Sequence, residues 1–232
     1  MSVSGGPDII ESSLFVCLDA ASTKSYPSSG AVWTDLTKRG NNASLVNGPT
    51  FSSGNSGAIV FDGTNDYALI SSFLNTFNGP FSLSFTFYQT ANTLSAAFFS
   101  NYDAATNDGL FMQINASSEG SGLRVTYRQL GTNIFNFTQT NPVLLNTFYN
   151  IICTYDGANA YVYYNGARQS VSAAASTYFS PVSNNLYLGA LTTTERLFAG
   201  RIHEIKIYNK GLSETEVKQN YNATKGRYRL IF

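Results

Sequence analysis

The strongest constraint on the fold of this chain is an alternation of apolar and polar residues with a period of two. It is clearest over Phe81–Phe87, where Phe, Leu, Phe and Phe alternate with Ser, Ser and Thr. Successive side chains of a strand point to opposite faces of its sheet, so this segment is predicted to be a strand buried on one face. Similar short runs recur along the chain between Asn, Gly, Ser and Pro residues. Many short strands joined by turn residues predict an all-β, antiparallel two-sheet sandwich or jelly roll.

Turn and capping residues place two hairpins and one helix. Asp156-Gly157 and Asn165-Gly166 each separate strong strand segments, which predicts consecutive hairpins over residues 148–171. Ser213 and Glu216 have capping-box spacing and predict the start of one short C-terminal helix. The predicted organisation is an N-terminal arm (1–12) and a single domain (13–232) that includes the helix (213–222), a C-terminal tail (225–232) and a last short strand (228–232).

The composition is polar without being ionic. Lys and Arg together number 14, and so do Asp and Glu, whereas the chain contains 23 Asn, 27 Ser and 22 Thr. Nucleic-acid binding relies on clustered Lys and Arg, so no nucleic-acid partner is expected. No apolar run approaches the roughly 20 residues needed to cross a bilayer, so no membrane span is expected either.

The first residues and the two cysteines bear on the compartment. The N-terminus lacks a basic region followed by an apolar one, which predicts no secretory signal and synthesis in a cytosol. Cys17 and Cys153 lie in apolar segments and are predicted to be buried, reduced thiols rather than a disulfide.

Four stretches carry a resemblance to a known family: Ala58–Tyr67 (AIVFDGTNDY), Phe81–Phe87 (FSLSFTF), Tyr149–Gly166 and Gly200–Ser213 (GRIHEIKIYNKGLS). Together they resemble the laminin-G-like branch of the concanavalin A-like lectin/glucanase superfamily. Four N-terminal segments resemble the version found in structural proteins of tailed bacteriophages: Leu18–Ala20, Ser25–Pro27, Trp33–Leu36 and Asn41–Phe51. The resemblance implies a two-sheet jelly roll and leaves function open, because the family includes sugar-binding modules, glycan hydrolases and domains that only make protein contacts.

The catalytic groups of a glycan hydrolase are not evident in the sequence. Such an enzyme needs two carboxylates that flank one bond, and the resemblance implies a Glu-x-Asp-x-Glu strand pattern that this chain does not contain. His203 is the only histidine, and its strand phase with Ile205 and Ile207 favours a half-buried structural role. We therefore expect no enzymatic activity.

The loop after Phe61 has two interpretations. Asp62, Asn65 and Asp66 present oxygen ligands of the kind that calcium prefers, and the resemblance implies calcium because laminin-G-like domains often carry it. The alternative is a tight turn in which the Asp side chains bond their own backbone. The expected cofactor set is therefore none, apart from this candidate structural calcium.

Sugar binding would require exposed aromatic rings flanked by amides and hydroxyls. The alternative for each aromatic residue is packing in the core, and for Trp33 packing under the N-terminal loop is the favoured reading. The candidates in turn-rich segments are Tyr26, Trp33, Tyr102, Phe135, Tyr178 and Phe179.

The leading functional hypothesis is a non-enzymatic virion protein that decorates or cements a bacteriophage capsid. The alternative is a carbohydrate-binding module of a phage tail or head fibre that recognises host surface glycans. The capsid hypothesis predicts the major capsid protein or other virion proteins as partners, with a homo-oligomer such as a trimer. Its predicted attachment segments lie at the two chain ends and include Val3, Ile9, Ile10, Arg227, Arg229 and Phe232.

Overall fold

The computed structural model describes residues 8–71, 73, 79–91, 95–114, 122–129, 131–139, 141–173 and 185–228. Sixteen strands and one α-helix make up its regular structure in these ranges. The strands are β1 (Leu14–Asp19), β2 (Val32–Trp33), β3 (Ala43–Val46), β4 (Thr50–Ser52), β5 (Ala58–Asp62), β6 (Tyr67–Ile70), β7 (Phe81–Gln89), β8 (Ala97–Ser100), β9 (Gly109–Ile114), β10 (Leu123–Gln129), β11 (Thr132–Gln139), β12 (Phe148–Tyr155), β13 (Asn159–Tyr164), β14 (Ala167–Ala173), β15 (Leu186–Leu188) and β16 (Ala199–Tyr208), and the helix is α1 (Glu214–Thr224).

The strands form two antiparallel sheets of eight strands each. Sheet A has the order β14-β13-β12-β7-β16-β5-β4, and β1 also pairs with β16. Sheet B has the order β11-β10-β9-β8-β15-β6-β3-β2. Strand β16 pairs with β7 along one side, while β5 and β1 share its other side. This architecture confirms the predicted all-β jelly-roll sandwich.

The core lies between the sheets and is rich in aromatic rings. Phe85 and Phe87 of β7 contact Phe98 with ring centroids 5.1 and 5.0 Å apart. All three rings are fully buried. Burying each such side chain contributes on the order of 1.5–3 kcal/mol, so the apolar face of β7 is a main source of stability.

The opposite face of β7 is also buried, which corrects the prediction of a strand buried on one face. Ser82 Oγ donates to the Lys210 carbonyl oxygen and accepts from the Leu212 amide, both at 2.8 Å. Helix α1 and the chain segments beside it form a third layer over the outer face of sheet A. Small hydroxyl side chains on β7 fit this layer because they can bond the backbone that covers them. The apolar part of the layer is an outer cluster of Ile152, Tyr163, Tyr208, Leu212 and Val217.

The predicted helix and hairpins are confirmed. Ser213 Oγ accepts from the Glu216 amide at 3.3 Å, and Glu216 Oε2 accepts from the Ser213 amide at 2.9 Å, which completes the capping box. Asn165 and Gly166 both have positive φ, at 52° and 78°, as a tight two-residue hairpin turn requires. No helix in the described ranges is long and apolar enough to cross a membrane.

The chain after α1 differs from the prediction. A 3₁₀ turn spans Lys225–Arg227, and Tyr228 lies in a turn rather than at the start of a strand. Residues 229–232, which complete the predicted strand, lie outside the described residues.

Candidate functional site

A groove of about 610 Å³ lies at the end of sheet A, beside the β13–β14 turn. Strands β12 and β13 supply the two inner tyrosines. The loop before β12 forms one rim, and α1 with the following turn forms the other. We call it the tyrosine groove. Its lining residues are Asn141, Pro142, Tyr149, Tyr164, Asn165, Ala167, Gln169, Tyr221, Lys225 and Gly226.

Tyr149 and Tyr164 form the inner part of the groove. Tyr149 is the second residue of β12 and Tyr164 is the last residue of β13, and their rings meet edge to face with centroids 5.9 Å apart. They are 8% and 7% exposed, so only small parts of each ring reach the groove. The Tyr149 hydroxyl accepts from the Leu144 amide at 3.1 Å and donates to the Pro142 carbonyl oxygen at 3.3 Å. These bonds fix the ring and the adjacent rim loop relative to each other.

Tyr221 forms the helical wall. A Cβ built on Gly166 would lie 2.8 Å from Tyr221 Cδ1, so the ring packs directly on the backbone of the turn. The Lys225 ammonium lies 5.7 Å from the centre of the same ring. Tyr221 is half-buried, and burial raises the pKa of its hydroxyl. The hydroxyl is therefore neutral at physiological pH and can both donate and accept hydrogen bonds.

Amide side chains line the rim. Asn141 Nδ2 donates to Gln169 Oε1 at 2.8 Å, and Gln169 Nε2 donates to the Ala167 carbonyl oxygen at 3.0 Å. Asn165 Oδ1 accepts from the Asn150 amide at 2.9 Å, which holds the turn against β12. The rim thus carries hydrogen-bonding groups whose orientation is set by the protein before any ligand arrives.

A second hollow of about 590 Å³ adjoins the groove and shares Asn165, Ala167 and Tyr221 with it. Arg168, Glu214 and Lys218 are the charged residues of its lining. Lys218 Nζ lies 2.7 Å from Glu214 Oε1, and this hydrogen bond lowers the pKa of the Glu214 carboxyl. We call this space the helix hollow.

The tyrosine groove suits a small polar ligand with an apolar face. Its volume lies within the range of about 300–1,000 Å³ that is typical of small-molecule sites. Partly exposed rings provide apolar contact, and the amides at the rim provide directional hydrogen bonds. A sugar ring needs this combination, because it has an apolar CH face and hydroxyls around its edge.

Most of the aromatic residues that the sequence put forward for sugar binding do not form a platform. Trp33 is 0% exposed and Tyr26 is 3% exposed, so neither ring offers a face to a ligand and neither is a sugar-binding residue. For Trp33 the burial agrees with the packing that the sequence favoured. Phe135 is buried as well. These rings pack in the core because burial of a large aromatic side chain is strongly favourable. Tyr178 and Phe179 lie outside the described residues.

Tyr102 is the sequence candidate that remains accessible. It is half-buried, its ring meets Phe111 edge to face at 5.6 Å, and its hydroxyl donates to Asn107 Oδ1 at 2.8 Å. Arg128 Nη1 donates to the same oxygen at 2.9 Å. Tyr102 does not line the tyrosine groove and lies instead beside sheet B.

The Asp62 loop forms the predicted Asx-type turn. Asp62 Oδ1 accepts from the amides of Thr64, Asn65 and Asp66 at 2.7, 3.2 and 3.4 Å. The Thr64 amide bond is the main cause of a lowered Asp62 pKa, whereas burial raises the pKa of Asp66. Asp66 Oδ2 accepts from the Asp62 amide at 3.1 Å. Backbone donors thus occupy one oxygen of each carboxylate, and Asn65 is exposed.

His203 is fully buried rather than half-buried. It lies at a β-bulge in β16, where its Nδ1 donates to the Gly57 carbonyl oxygen at 2.7 Å. The rings of Phe148 and Tyr228 pack against it at 5.1 and 5.2 Å. Burial lowers the His203 pKa to about 4, so the ring is neutral and structural at physiological pH. Burial also raises the pKa of each cysteine thiol, Cys17 and Cys153, to about 12.

Within the described ranges, no group of three or more His, Cys, Asp or Glu side chains is arranged to hold a metal ion.

The described residues of the predicted attachment segments bond to this chain itself. The Ile10 amide donates to Asn220 Oδ1 at 2.8 Å, and Ile10 and Leu14 pack against the outer cluster. Ile9 is half-buried beside them. Arg227 Nη2 lies 2.7 Å from Asp19 Oδ1. Val3, Arg229 and Phe232 lie outside the described residues.

Sequence reasoning missed the three tyrosines of the groove. Tyr149 and Tyr164 occur in strand segments, where an aromatic residue is most simply interpreted as core, and Tyr221 occurs in the predicted helix. One signal could have found them. The Asp156-Gly157 hairpin pairs β12 with β13 and so brings the start of β12 beside the end of β13, next to the Asn165-Gly166 turn.

The chain matches a family profile of the laminin G type, described as the concanavalin A-like lectin/glucanases superfamily, over residues 62–218. No curated protein sequence matches it significantly.

Several solved structures share the fold at low sequence identity. The sialidase of Trypanosoma rangeli in complex with 2,3-difluorosialic acid is 14% identical with a TM-score of 0.68, and the match covers 96% of this chain and 35% of the sialidase. Domain 4 of the extracellular arabinanase AbnA from Geobacillus stearothermophilus, in complex with arabinotriose, is also 14% identical with a TM-score of 0.68, and the match covers 91% of this chain and all of that domain (100%). The botulinum neurotoxin serotype G binding domain is 16% identical with a TM-score of 0.66, over 89% of this chain and 50% of that one.

This chain therefore spans about a third of the sialidase, and the likenesses show a shared fold. The profile match covers more than half of the chain. Together with the two-sheet jelly roll, it shows that the chain belongs to the concanavalin A-like lectin/glucanase superfamily.

Proposed function

We propose that this chain is a non-enzymatic glycan-binding module that holds a sugar chain in the tyrosine groove. The observation that carries the proposal is the groove itself, in which Tyr149, Tyr164 and Tyr221 provide apolar surface beneath a rim of amides. Sugars bind proteins through this pairing of ring contact and directional hydrogen bonds.

Tyr221 is the main contact in this proposal because it is the most exposed of the three rings. Lys225 is exposed, and its contact with the ring is worth only about 0.5–1 kcal/mol, so a sugar can displace it. Asn141 is exposed and donates its Nδ2 to Gln169, so its side-chain carbonyl oxygen can accept a hydrogen bond from a sugar hydroxyl.

The comparisons support the proposal without establishing it. The arabinanase domain, the whole of which is covered by the match to this chain, was solved in complex with arabinotriose. A module of this size and fold can therefore accommodate an oligosaccharide.

The absence of catalysis is part of the proposal. The described residues that line the tyrosine groove include no carboxylate, whereas glycan hydrolysis uses a pair of them. Among the described residues, Glu214 is the only acid that lines the adjoining helix hollow, and it is paired with Lys218.

A glycan array followed by calorimetric titration of the strongest hits tests the proposal. Tyr221→Ala should weaken binding by about tenfold or more, because it removes the helical wall and exposes the turn. Tyr102→Ala is the matched control, since it truncates another half-buried tyrosine outside the groove. Folding of both variants is checked by circular dichroism. Failure of every glycan to bind would refute the assignment. A loss of affinity in the Tyr102 variant with none in the Tyr221 variant would refute it as well.

The virion location remains a prediction from the N-terminal resemblance. A glycan-binding module fits a phage tail or head fibre, whereas capsid decoration would require contacts with shell proteins. The contacts of Ile10 and Arg227 within this chain do not favour those two residues as attachment points. Cryo-electron microscopy of the source particle separates the two: copies on the shell lattice support decoration, and copies at a fibre support adsorption.

A further inference from the structure

Basic side chains are concentrated around the tyrosine groove and the helix hollow. The whole chain has no net charge, with 14 basic and 14 acidic residues. The described residues that line the two spaces include Lys225, Arg168 and Lys218 but one acid, Glu214. The local balance is three positive charges against one, a net charge of +2.

From this charge distribution we infer that the preferred ligands are acidic glycans, sugars that carry a carboxylate or a sulfate. The inference rests on the proposed function, and it names the chemical class that the same site selects.

Two of the three cations are available for a ligand. Lys218 is paired with Glu214 at 2.7 Å. Among the described residues, Lys225 and Arg168 form no ion pair; Lys225 lies over the Tyr221 ring and Arg168 lies 5.9 Å from the centre of the Tyr161 ring. Both side chains are exposed, so both charges remain in contact with solvent and are accessible to a ligand.

The two cations line adjoining spaces that share Tyr221. Lys225 lines the tyrosine groove, Arg168 lines the helix hollow, and Tyr221 belongs to both. An oligosaccharide that contacts Tyr221 and extends through both spaces therefore meets one of these two cations in each. Arg can bind a carboxylate or sulfate with two parallel hydrogen bonds, and Lys contributes a compact charge.

The chemistry of the rim agrees with this specificity. Tyrosine and amide groups recognise sugar hydroxyls regardless of charge, so they provide general affinity. The two cations add a preference for acidic over neutral sugars of the same size, because a neutral sugar leaves them solvated and gains nothing from them. The expected preference is about tenfold, since the sites are exposed and water screens the charges.

The test uses matched pairs of sugars that differ only in the acidic group. The carboxylate pair is 3′-sialyllactose and lactose, and the sulfate pair is a heparin-derived tetrasaccharide and its desulfated form. Affinities are measured by calorimetry at about 0.05 M and about 0.5 M NaCl, because salt screens exposed charges over distances of several ångströms. The variants are Lys225→Gln and Arg168→Gln, with Lys38→Gln as the control at an exposed lysine outside both spaces.

The inference predicts tighter binding of at least one acidic sugar than of its neutral partner, and a loss of that preference at high salt. It also predicts that Lys225→Gln or Arg168→Gln lowers the affinity for the acidic sugar several-fold while Lys38→Gln does not. The pair that shows the effect identifies the acidic group as carboxylate or sulfate.

Three results would overturn the inference. Equal binding of acidic and neutral sugars, lost in Tyr221→Ala, would leave the proposed function standing without the acidic preference. An acidic preference unaffected by both cation variants would place the anion elsewhere on the protein. If no sugar of either kind binds here or on the array, the proposed function itself fails, and the inference fails with it.

Discussion

Replacing His203 with Asn should flatten the dependence of stability on pH. The Nδ1 of His203 donates to the Gly57 carbonyl oxygen, and an Asn amide nitrogen can occupy nearly the same position as Nδ1. The substitution therefore keeps the hydrogen bond and removes the titrating ring. Loss of the ring contacts with Phe148 and Tyr228 lowers stability by an amount that does not depend on pH.

The magnitude follows from the shift of the His203 pKa from 6.5 to about 4. Burial is the main cause, Arg201 and Arg227 add to the lowering, and Asp19 opposes it. Between pH 6.5 and 4 the unfolded chain binds a proton that the folded chain does not, so the folded state loses stability as the pH falls. His203 is 0% exposed, so screening by water is small. At about 1.4 kcal/mol per pH unit, the loss reaches about 3 kcal/mol by pH 4 and about 2 kcal/mol by pH 5.

The assay is urea unfolding of both proteins at several pH values between 7 and 4.5. Trp33 is the only tryptophan and is fully buried, so its fluorescence reports unfolding. Contributions to stability that are common to both proteins cancel in the difference. The difference in unfolding free energy between wild type and His203→Asn should shrink by about 2 kcal/mol from pH 7 to pH 5. Parallel curves over this range would show that His203 is not held neutral by burial.

Three further substitutions test packing in the core, at the turn beside the groove and at the turn after α1. Trp33→Ala should lower the unfolding free energy by about 3–5 kcal/mol, since the ring is core, as urea titration followed by circular dichroism would show. Gly166→Ala should lower the melting temperature and weaken glycan binding, because φ is 78° and the new Cβ would displace Tyr221; unchanged values would contradict this. Arg227→Gln should lower the free energy of unfolding by about 2 kcal/mol, because it leaves the nearly buried Asp19 carboxylate unpaired. Adding Asp19→Asn should recover part of that loss in the same unfolding assay.

Local sequence patterns predicted the fold well because they act over a few residues. The alternation of Phe81–Phe87 identified a strand, the Ser213 and Glu216 spacing identified a helix start, and Asn165-Gly166 identified a turn. Each depends on backbone geometry that neighbouring residues determine. The third layer over sheet A did not follow from such patterns. Burial of Ser82 depends on a chain segment 128 residues away in the sequence, at Lys210.

The site was harder to predict for the same reason. The sequence does not distinguish an aromatic strand residue that faces the core from one that lines a groove. Trp33 is an example of the first and Tyr149 of the second. The groove depends on where α1 packs, because Tyr221 forms its wall only after the helix has docked beside Gly166. Packing between segments that are far apart in the sequence produces no periodic pattern of apolar and polar residues.

The most direct test of the central claim is a map of the residues that respond when a sugar binds. Backbone amide NMR spectra are recorded while the tightest-binding oligosaccharide of the array is titrated into the protein. The account predicts that the perturbed amides cluster at Asn141, residues 165–169 and residues 221–226, which surround the tyrosine groove. A cluster around Tyr102 or the Asp62 loop, with the groove amides unchanged, would contradict it.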